Sequence, residues 1–549
     1  MENDVLPPTY YHTNFCYLLS FVQDKYKSIL HTNEWRFLRK FYCLTEEAQC
    51  LFVRLSNRRG LYFRVDSLEY QEIPSIPSCL VELEKHGFIT DTNTNYELVE
   101  TPLVLRILAK EELKKVFKLK GKAALRKEEY IQTLLAEYPE NDIMEAISAY
   151  TSIIRVSFQP EIAFLKFLFF GNRSMDMTEF VLRDLGILSY QSYKQDELVA
   201  RFSTRKEAED KWFVSDQFEI FHQLIHENTA SEVLFDWISA VWESSFHQLE
   251  ELAARSMERL ILKVALYLEK KKALDLALLL FEKTKQPPAR ERRVRILEKQ
   301  KEWDAALALC EEIKAQPTHE EELIFANDRI IKRDKKRLIL KTQVLKDSPQ
   351  ITISKEFKGN VEMGVAHYYE SEGYKAVFAE NHLWRALFGL VFWDIIFDKT
   401  LVAFHHPFQR RPSDFHLPDF YQKRKDKIQL RLEALQEPAL VIQEMANVFQ
   451  RKNGIENPFV IWSEAIWEMC RLAVAQIPLQ TLKTIWLKMA ENHVENGRGF
   501  PDLMVRNEEK LFFVEVKSPT DHLSNQQVFW QSFFRENGLE SFVLRVDFI

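Results

Sequence analysis

The sequence predicts an α+β protein of several domains, with a mostly helical N-terminal portion and body followed by a smaller C-terminal α/β domain. Its 549 residues are too many for one ordinary hydrophobic core. Apolar residues recur at helical spacing through most of residues 143–350. In the last third of the chain, short runs alternate apolar and polar residues, which is typical of strands. The change of pattern indicates separate domains.

The composition is that of a globular protein. Hydrophobic residues make up 46% of the chain and charged residues 28%, which argues against long disordered tracts. No apolar run approaches the roughly 20 residues that span a bilayer, and the start of the chain lacks the pattern of a secretion signal, so we expect no membrane contact. The six cysteines form no C-x-x-C pair, which favours reduced thiols over a zinc site.

Charge and motifs narrow the possible activities. The net charge of −7 provides no general positive field, so any nucleic-acid binding has to come from local basic patches. The sequence contains no G-x-x-x-x-G-K-[ST] motif. We therefore expect no ATP-driven activity and no nucleotide cofactor.

Residues 1–100 predict a small winged-helix-like part that binds DNA. A helix that begins after Thr45, a suitable N-cap, is followed by a short strand at residues 61–65. Arg54 and Arg58 lie before this strand and are candidates for contact with DNA phosphates. A solvated surface turn is the alternative interpretation.

Residues 101–142 predict a SAP-like DNA-binding module. Two helical patterns, at residues 105–117 and 126–135, are joined by a basic linker. The candidates for contact with duplex DNA are Lys114 and Lys115 at the end of the first pattern and Lys118 at the start of the linker. A charged run on a solvated helix face is the alternative.

Residues 143–350 predict a helical scaffold with TPR-like repeats. The segment 273–283 is echoed by 303–312, with a period near 30 residues and small residues where two helices would cross. Arg292 and Arg295 lie between the two copies and are candidate phosphate contacts. Charged helix surfaces without a ligand are the alternative.

Residues 351–549 predict a mixed sheet with helices on its faces. A helix near residues 481–491 precedes two strands, a helix that starts after the N-cap residue Ser524, and a final strand, which gives the order α–β–β–α–β. Asp502 precedes the first strand, and Glu515-Val516-Lys517 ends the second. Because strand side chains alternate, the acid and the lysine of the second strand share one face.

Two acids and a lysine at the ends of neighbouring strands indicate a metal site. Burying such charges is costly unless something charged lies between them, and Asp502 and Glu515 offer the hard oxygen ligands that Mg²⁺ or Mn²⁺ prefers. The main-chain carbonyl of Val516 could complete the coordination, and Lys517 could orient a water or neutralise charge on a phosphate. This chemistry suits phosphodiester hydrolysis; an ion pair on a surface strand is the alternative.

The same segment resembles the VRR-NUC branch of the PD-(D/E)xK nucleases, which have a restriction-endonuclease-like α/β fold. The resemblance rests on R-G-x-P-D-L at residues 498–503, on V-E-V-K at 514–517, and on the pattern D-x-L-S-x-x-Q-x-x-W at 521–530. Accordingly, residues 351–549 are identified as a VRR-NUC nuclease domain.

Other segments resemble the Fanconi-associated nuclease family, in the shorter bacterial form that has no N-terminal cysteine/histidine finger. The segments that carry this resemblance are Glu380, residues 389–397, residues 41–55, residues 68–72 and residues 179–186. They occur in order, so the resemblance spans essentially the whole chain.

The resemblance implies roles and an activity. It makes Glu380, Asp502 and Glu515 metal ligands and Lys517 the catalytic lysine, with Gln527 supporting the site from its helix. The implied activity is Mg²⁺- or Mn²⁺-dependent cleavage of branched or 5′-flap double-stranded DNA, with 5′-to-3′ exonuclease incision. Such a phosphodiester hydrolase would serve repair of interstrand crosslinks.

Two other functions are left open. A junction-resolving or restriction-type endonuclease would use the same metal site, and it would normally act as a homodimer. A catalytically dead DNA-binding scaffold is disfavoured because Glu380, Asp502, Glu515 and Lys517 are all present. We expect a cytoplasmic protein at the nucleoid in a bacterium, or a nuclear protein in a eukaryote.

Overall fold

The computed structural model describes residues 6–92, 100–119, 121, 124–333 and 339–549. The chain forms two compact units, Met1–Leu188 with Val199–Ala208, and Ser189–Leu198 with Glu209–Ile549. The described residues are mostly helical and include a mixed sheet near the C-terminus, which confirms the predicted fold class. The predicted division into four domains is finer than these two units and stays a prediction.

The first unit packs helices around a small antiparallel sheet whose strand order is β1–β3–β2. Its strands are β1 (Tyr62–Arg64), β2 (Ile89–Asp91) and β3 (Ile153–Val156). Its helices are α1 (Tyr10–Tyr26), α2 (Thr32–Tyr42), α3 (Glu46–Ser56), α4 (Ile76–Lys85), α5 (Thr101–Ile107), α6 (Lys110–Val116), α7 (Lys127–Glu137), α8 (Glu140–Tyr150), α9 (Gln159–Phe170) and α10 (Thr178–Asp184).

Three local expectations can be compared with this unit. The hydroxyl of Thr45 accepts a hydrogen bond from the amide of Ala48, so Thr45 is the N-cap of α3 as predicted. The prediction of a single helix at residues 105–117 is wrong, because Leu108 has an extended backbone and separates α5 from α6. The almost wholly helical reading of residues 143–350 missed β3, a four-residue run too short to show a period.

The first part of the second unit consists of helices, and most of them contact the next helix in the sequence. They are α11 (Arg205–His226, which starts in the first unit), α12 (Ser231–Ser245), α13 (Glu251–Lys270), α14 (Leu274–Phe281), α15 (Ala289–Lys299), α16 (Trp303–Ala315), α17 (Glu320–Arg333) and α18 (Leu340–Asp347). The two repeat copies correspond to α14 and α16, and each buries its small residue, Ala277 or Ala306, against neighbouring helices. This packing suits the predicted TPR-like character.

The rest of the second unit builds a five-stranded sheet of order β4–β8–β7–β6–β5. The strands are β4 (Gln350–Ile353), β5 (Lys375–Phe378), β6 (Leu503–Arg506), β7 (Leu511–Lys517) and β8 (Ser541–Phe548). The helices are α19 (Val361–Ser371), α20 (Glu380–Val391), α21 (Trp393–Ile396), α22 (Phe420–Ala434), α23 (Pro438–Lys452), α24 (Glu464–Gln476), α25 (Leu479–Glu491), α26 (His493–Asn496) and α27 (Asn525–Glu536). Strand β8 runs parallel to β4 and β7, and β6 runs antiparallel to β5 and β7.

The two faces of β7 are covered by different helices. Val514 and Val516 belong to a buried apolar cluster that includes Val365 of α19. On the other face, the ring of Phe513 contacts Trp384 of α20 and Phe534 of α27. The predicted alternation of side chains is therefore confirmed, and it directs the polar end of β7 towards the face that α20 and α27 cover.

A tight turn joins β6 to β7 and fixes their register. The amide of Asn507 donates to the carbonyl of Lys510 (2.9 Å), and Oδ1 of Asn507 accepts from the amides of Glu509 (2.9 Å) and Lys510 (2.7 Å). Leu503 thereby pairs with Val514.

Across the described ranges, no helix is both long enough and apolar enough to cross a membrane.

Candidate active site

Asp502 and Glu515 meet at the open end of the β6–β7 hairpin. Because Leu503 pairs with Val514, Asp502 lies one residue before β6 and beside the end of β7. Oδ2 of Asp502 accepts a hydrogen bond from the amide of Val516 (2.8 Å). The antiparallel pairing thus brings together the two acids that the sequence predicted. The same bond gives Val516 a role through its amide, whereas ligation through its carbonyl stays a prediction.

Glu515 is buried, and its two carboxylate oxygens have different surroundings. Oε1 lies 2.8 Å from Nζ of Lys517 and accepts a hydrogen bond from Nε2 of Gln527 at 2.6 Å. Oε2 is buried and has no hydrogen-bond partner within the part of the chain that the structure describes. A buried carboxylate oxygen without a partner is costly. The arrangement therefore fits a hard divalent cation bound at this oxygen.

Gln527 has two contacts at the start of α27. Its Oε1 accepts a hydrogen bond from the amide of Ser524 (2.9 Å), and Oγ of Ser524 accepts one from the amide of Gln527 (3.1 Å), which forms a capping box. Its Nε2 is the atom that bonds to Glu515. The helix start therefore fixes the orientation of the glutamine and, through it, of the carboxylate.

Glu380 begins α20 with a strained backbone. Its φ is +34°, in the left-handed region that residues with a side chain rarely adopt. The amides of Ala379 and Glu380 both donate to the main-chain oxygen of Asp502, at 2.9 and 3.2 Å. Such strain costs on the order of 1–3 kcal/mol, and these two hydrogen bonds stabilise the strained conformation. They also tie the start of α20, which carries the third predicted acid, to Asp502.

Burial raises the pKa of both hairpin acids. The pKa of Glu515 rises to about 8, first because of burial and then because of the negative charge of Asp502, while Lys517 opposes the rise. The pKa of Asp502 rises to about 6, mainly because of burial, against the hydrogen bond from Val516 and the charge of Lys517. Glu380 raises both values further. The site thus has too little positive charge for its carboxylates, a deficit that a divalent cation would correct.

Sequence reasoning missed one acid in this region. Glu362 lies in the first turn of α19, which packs against β6 and β7. The negative charge of Glu362 raises the pKa of Asp502 more than the negative charge of Glu380 does. The helix itself was predicted. An acid in a first helical turn is common, however, because it interacts favourably with the helix dipole, so no local signal distinguished it.

Position 499, shortly before the Pro501-Asp502 pair, requires a glycine. Its φ is +79°, and a Cβ atom there would lie 2.7 Å from Cγ of Gln526 on α27. Any side chain would therefore push the segment that leads into Asp502 away from the helix that carries Gln527.

A different set of possible metal ligands consists of His319, Glu321 and Glu495. Their ligand atoms lie within 4.8 Å of one another, and within the described ranges this is the group of three that meets that limit. Nη2 of Arg498 already bonds to Glu321 (2.9 Å) and to Glu495, and so supplies positive charge there. The three predicted acids form no group that tight. The buried, unpartnered oxygen nevertheless belongs to the hairpin site.

Three of the predicted DNA-binding residues are already bonded to acids. Arg54 donates from Nε to Oε1 of Glu72 (2.8 Å) and stacks 3.9 Å from the ring centroid of Tyr11. The other two pairs are Lys114 with Glu111 (2.8 Å) and Arg292 with Glu269 (3.5 Å). These contacts offset part of the charge that would attract a phosphate.

The remaining predicted DNA-binding residues are less engaged. Arg58, Lys115 and Lys118 are exposed and form no ion pair with any residue that the structure describes. Arg58 also lines a cavity of about 400 Å³ together with Lys166, whose pKa is lowered by burial. Arg295 is partly buried over the ring of Phe325 (4.9 Å), and burial lowers its pKa.

Comparison with known proteins gives two family matches and several whole-chain relatives. The models described as "FAN1, HTH domain" and "VRR-NUC domain" match residues 9–90 and 437–548. A Fanconi-associated nuclease 1 homolog of Pseudomonas aeruginosa is 28% identical, over 98% of this chain and 96% of that protein. The homolog of Arabidopsis thaliana is 26% identical, over 98% of this chain and 67% of that protein.

Two solved structures are also similar to this chain over almost its whole length. The chain is similar to paFAN1 in a crystal structure with 5′-flap DNA that has a 2-nucleotide flap and a gap, with a TM-score of 0.83 and 26% sequence identity over 99% of each chain. A second crystal structure of paFAN1, with a 1-nucleotide flap, gives a TM-score of 0.80 over 99% of this chain and 100% of that one.

Proposed function

Because this chain belongs to the Fanconi-associated nuclease family, we propose that it is a structure-specific DNA nuclease that depends on a divalent metal and cuts beside 5′ flaps. The observation that carries the proposal is the open end of the β6–β7 hairpin. There, half-buried Asp502 and buried Glu515 lie beside one lysine, and one oxygen of Glu515 has no partner among the described residues. The relative solved with 5′-flap DNA supports the choice of substrate.

The site residues divide the work of phosphodiester hydrolysis. Asp502 and Glu515, with Glu380 and the carbonyl of Val516, would hold the metal. When bound, a divalent cation stabilises negative charge on the phosphoryl oxygens. Lys517 lies against Glu515, where it can orient the attacking water or neutralise charge that develops on the phosphate. Gln527 keeps Glu515 in position from the start of α27.

Mg²⁺ or Mn²⁺ is the metal that suits these ligands. All the candidate ligand atoms are carboxylate or carbonyl oxygens, and such oxygens select hard divalent cations. The family model that matches residues 437–548 implies a divalent metal but does not distinguish between the two ions.

DNA binding is assigned to the basic residues outside the sheet. Arg58, Lys115 and Lys118 are exposed and form no ion pair with the described residues, which favours them as phosphate contacts. Arg54, Lys114, Arg292 and Arg295 are weaker candidates, because each is bonded to an acid or partly buried. The four-part division of the chain, with winged-helix-like, SAP-like and TPR-like parts before the nuclease, belongs to the same proposal.

The wider role that we propose is repair of interstrand crosslinks through 5′ flap cutting and stepwise 5′-to-3′ incision. This role requires neither ATP nor a membrane. It places the protein at the chromosomal DNA, and therefore at the nucleoid in a bacterium. A junction-resolving endonuclease is the second candidate, since it would use the same metal site. It differs in needing two active sites on one junction, and so in acting as a homodimer.

A substrate panel tests the proposal. Duplexes with a 5′ flap, a 3′ flap, a four-way junction, blunt ends or a single strand are incubated with Mg²⁺ or Mn²⁺, alongside the Asp502→Ala variant. We expect cleavage of the 5′-flap duplex, loss of cleavage with chelator, and no cleavage by the variant. Preferential, symmetric cutting of the junction would favour the resolving enzyme instead. A flap cut equally well by Asp502→Ala would show that the site assignment is wrong.

A further inference from the structure

We propose that a cavity next to Lys517 binds a backbone phosphate of the strand being cut, adjacent to the phosphate that is hydrolysed. The inference rests on the proposed nuclease function and adds a positioning site to it. The cavity has a volume of about 330 Å³ and lies within the second unit, between α18, the end of β7 and the end of β8. Its positively charged lining residues are Lys346, Lys517 and Arg545.

The strand register places this cavity directly beside the candidate active site. Lys517 on β7 pairs with Arg545 on β8, so the two side chains leave the sheet on the same face from neighbouring strands. Paired strands lie about 4.8 Å apart. Two long cationic side chains that start so close can contact successive phosphates of one strand.

Arg545 is anchored before any ligand binds. Its Nε and Nη2 donate to the main-chain oxygen of Ser348, at 3.3 and 3.1 Å. The guanidinium plane is therefore fixed, and Nη1 remains for an additional acceptor. An arginine whose fork is held in place loses little conformational entropy when it binds a phosphate. Lys346 on α18 is exposed and adds a more mobile positive charge.

The acids that line the cavity, Asp521 and Asp547, are exposed, and each accepts a hydrogen bond from a neutral donor. Oδ2 of Asp521 accepts the amide of Ser518 (2.9 Å), and Oδ2 of Asp547 accepts Nε2 of Gln350 (2.8 Å). Of the three cationic side chains, Lys517 is bonded to Glu515 (2.8 Å), whereas Lys346 and Arg545 form no ion pair with a described residue. These two unpaired cations favour an anion, and the continuity with Lys517 makes the anion a phosphate of the DNA strand in the active site.

Neutral phosphates test the contact. A 5′-flap duplex is prepared with single methylphosphonates at the phosphates on either side of the cut, and kcat/KM is measured for wild type, Arg545→Gln and Lys346→Gln. We expect one replacement to slow the wild-type enzyme about tenfold, as loss of a phosphate contact does. The same replacement should change the rate of Arg545→Gln by less than about twofold, because its contact is already missing. The matched control is Lys510→Gln, at the opposite end of the hairpin, which should behave as wild type.

The salt dependence of DNA binding provides a measurement without cleavage. With chelator present, log K against log salt should have a slope about one smaller for Arg545→Gln than for wild type. Equal slopes, or an equal methylphosphonate penalty in wild type and variant, would overturn the inference. A wild-type protein that binds flap DNA with these slopes but never cuts it would refute the nuclease proposal alone. Lys346→Gln, whose side chain is exposed, carries the test if Arg545→Gln fails to fold.

Discussion

The candidate active site and the predicted DNA-binding segments differ in how their charges are satisfied. At the end of β7, half-buried Asp502 and buried Glu515 share a single lysine, and their pKa values lie well above the ordinary range. In the helical segments, by contrast, Arg54 and Lys114 lie near the surface and are bonded to acids. Buried charge that is short of partners is typical of a site of chemistry, whereas charge that is already paired near the surface has less attraction left for a ligand.

The same distinction separates the basic residues from one another. Arg58 and Lys115 are exposed and form no ion pair with any described residue, although each is close in sequence to a paired neighbour. Sequence alone assigned all of them the same role. The structure ranks them by how much charge remains for a phosphate.

Loss of Lys517 is expected to have the largest effect. In Lys517→Ala, kcat on a 5′-flap duplex should fall at least about 1000-fold, because developing charge on the phosphate loses its neighbouring cation. Binding of the same duplex, measured with chelator, should change less than about threefold, since one contact among many is removed. Lys510→Ala at the hairpin turn is the control. A variant that retained a tenth of the activity would remove the distinction between this lysine and the surface lysines.

Glu515→Gln should have opposite effects on activity and stability. Cleavage should be lost. In metal-free buffer, the folded-state pKa of Glu515, about 8, lies above its value of 4.5 outside the protein, so folding favours the protonated carboxyl. Its stabilising contribution is complete below pH 4.5 and is lost as the pH rises through 8. Asp502, with a pKa of about 6, adds a loss in the same direction.

Chemical denaturation with chelator at pH 5, 7 and 9 measures this effect. The free energy of unfolding of the wild type should fall with rising pH, and Glu515→Gln should reduce that fall. Added Mn²⁺ should restore stability to the wild type at pH 9 and less so to the variant. Parallel pH profiles for the two proteins would mean that the buried carboxyl is not short of positive charge.

Removal of exposed lysines should weaken DNA binding. For Lys115→Gln with Lys118→Gln, affinity at moderate salt should fall about tenfold and the salt slope by about two. Lys114→Gln is the matched control, because that lysine is already bonded to Glu111 and should contribute less. Fluorescence anisotropy over a salt series provides both quantities. If the control weakens binding as much as the double variant, internal pairing does not predict phosphate contact.

The smallest expected effect on binding belongs to Arg54. Arg54→Ala should lower the free energy of unfolding by about 1–2 kcal/mol, since it removes both the bond to Glu72 and the stacking on Tyr11. Its effect on DNA affinity should stay within about twofold. Arg58→Ala should show the reverse, with unchanged thermal unfolding and weaker binding. The two variants together test whether stability and binding are divided as the contacts indicate.

Much of the candidate site could be predicted because its signals are local. The alternation along β7, the N-cap at Ser524 and the spacing of Asp502 from Glu515 are all readable in one short segment. Glu362 could not be found in this way, because its place beside Asp502 depends on how α19 packs against the sheet. The family resemblance predicted that Gln527 supports the site, but it did not predict the hydrogen bond from Gln527 to Glu515.

The missed elements of the fold have the same origin. Strand β3 is four residues long and lies between β1 and β2, from which it is separated by about 60 residues or more of sequence. Its assignment depends on non-local pairing and not on its own pattern. The break at Leu108 likewise has no glycine or proline to announce it.

The turn at Asn507 acts on catalysis from the far end of the hairpin. Since side chains alternate along β7, a shift of one residue in the pairing of β6 and β7 would put Val516 where Glu515 now stands. An insertion or deletion among the four turn residues, Asn507 to Lys510, would therefore place an apolar side chain where the proposed metal ligand Glu515 now stands. The length of this exposed turn is constrained as tightly as the identity of the acids it aligns, so the hairpin is a poor place for natural or engineered insertions.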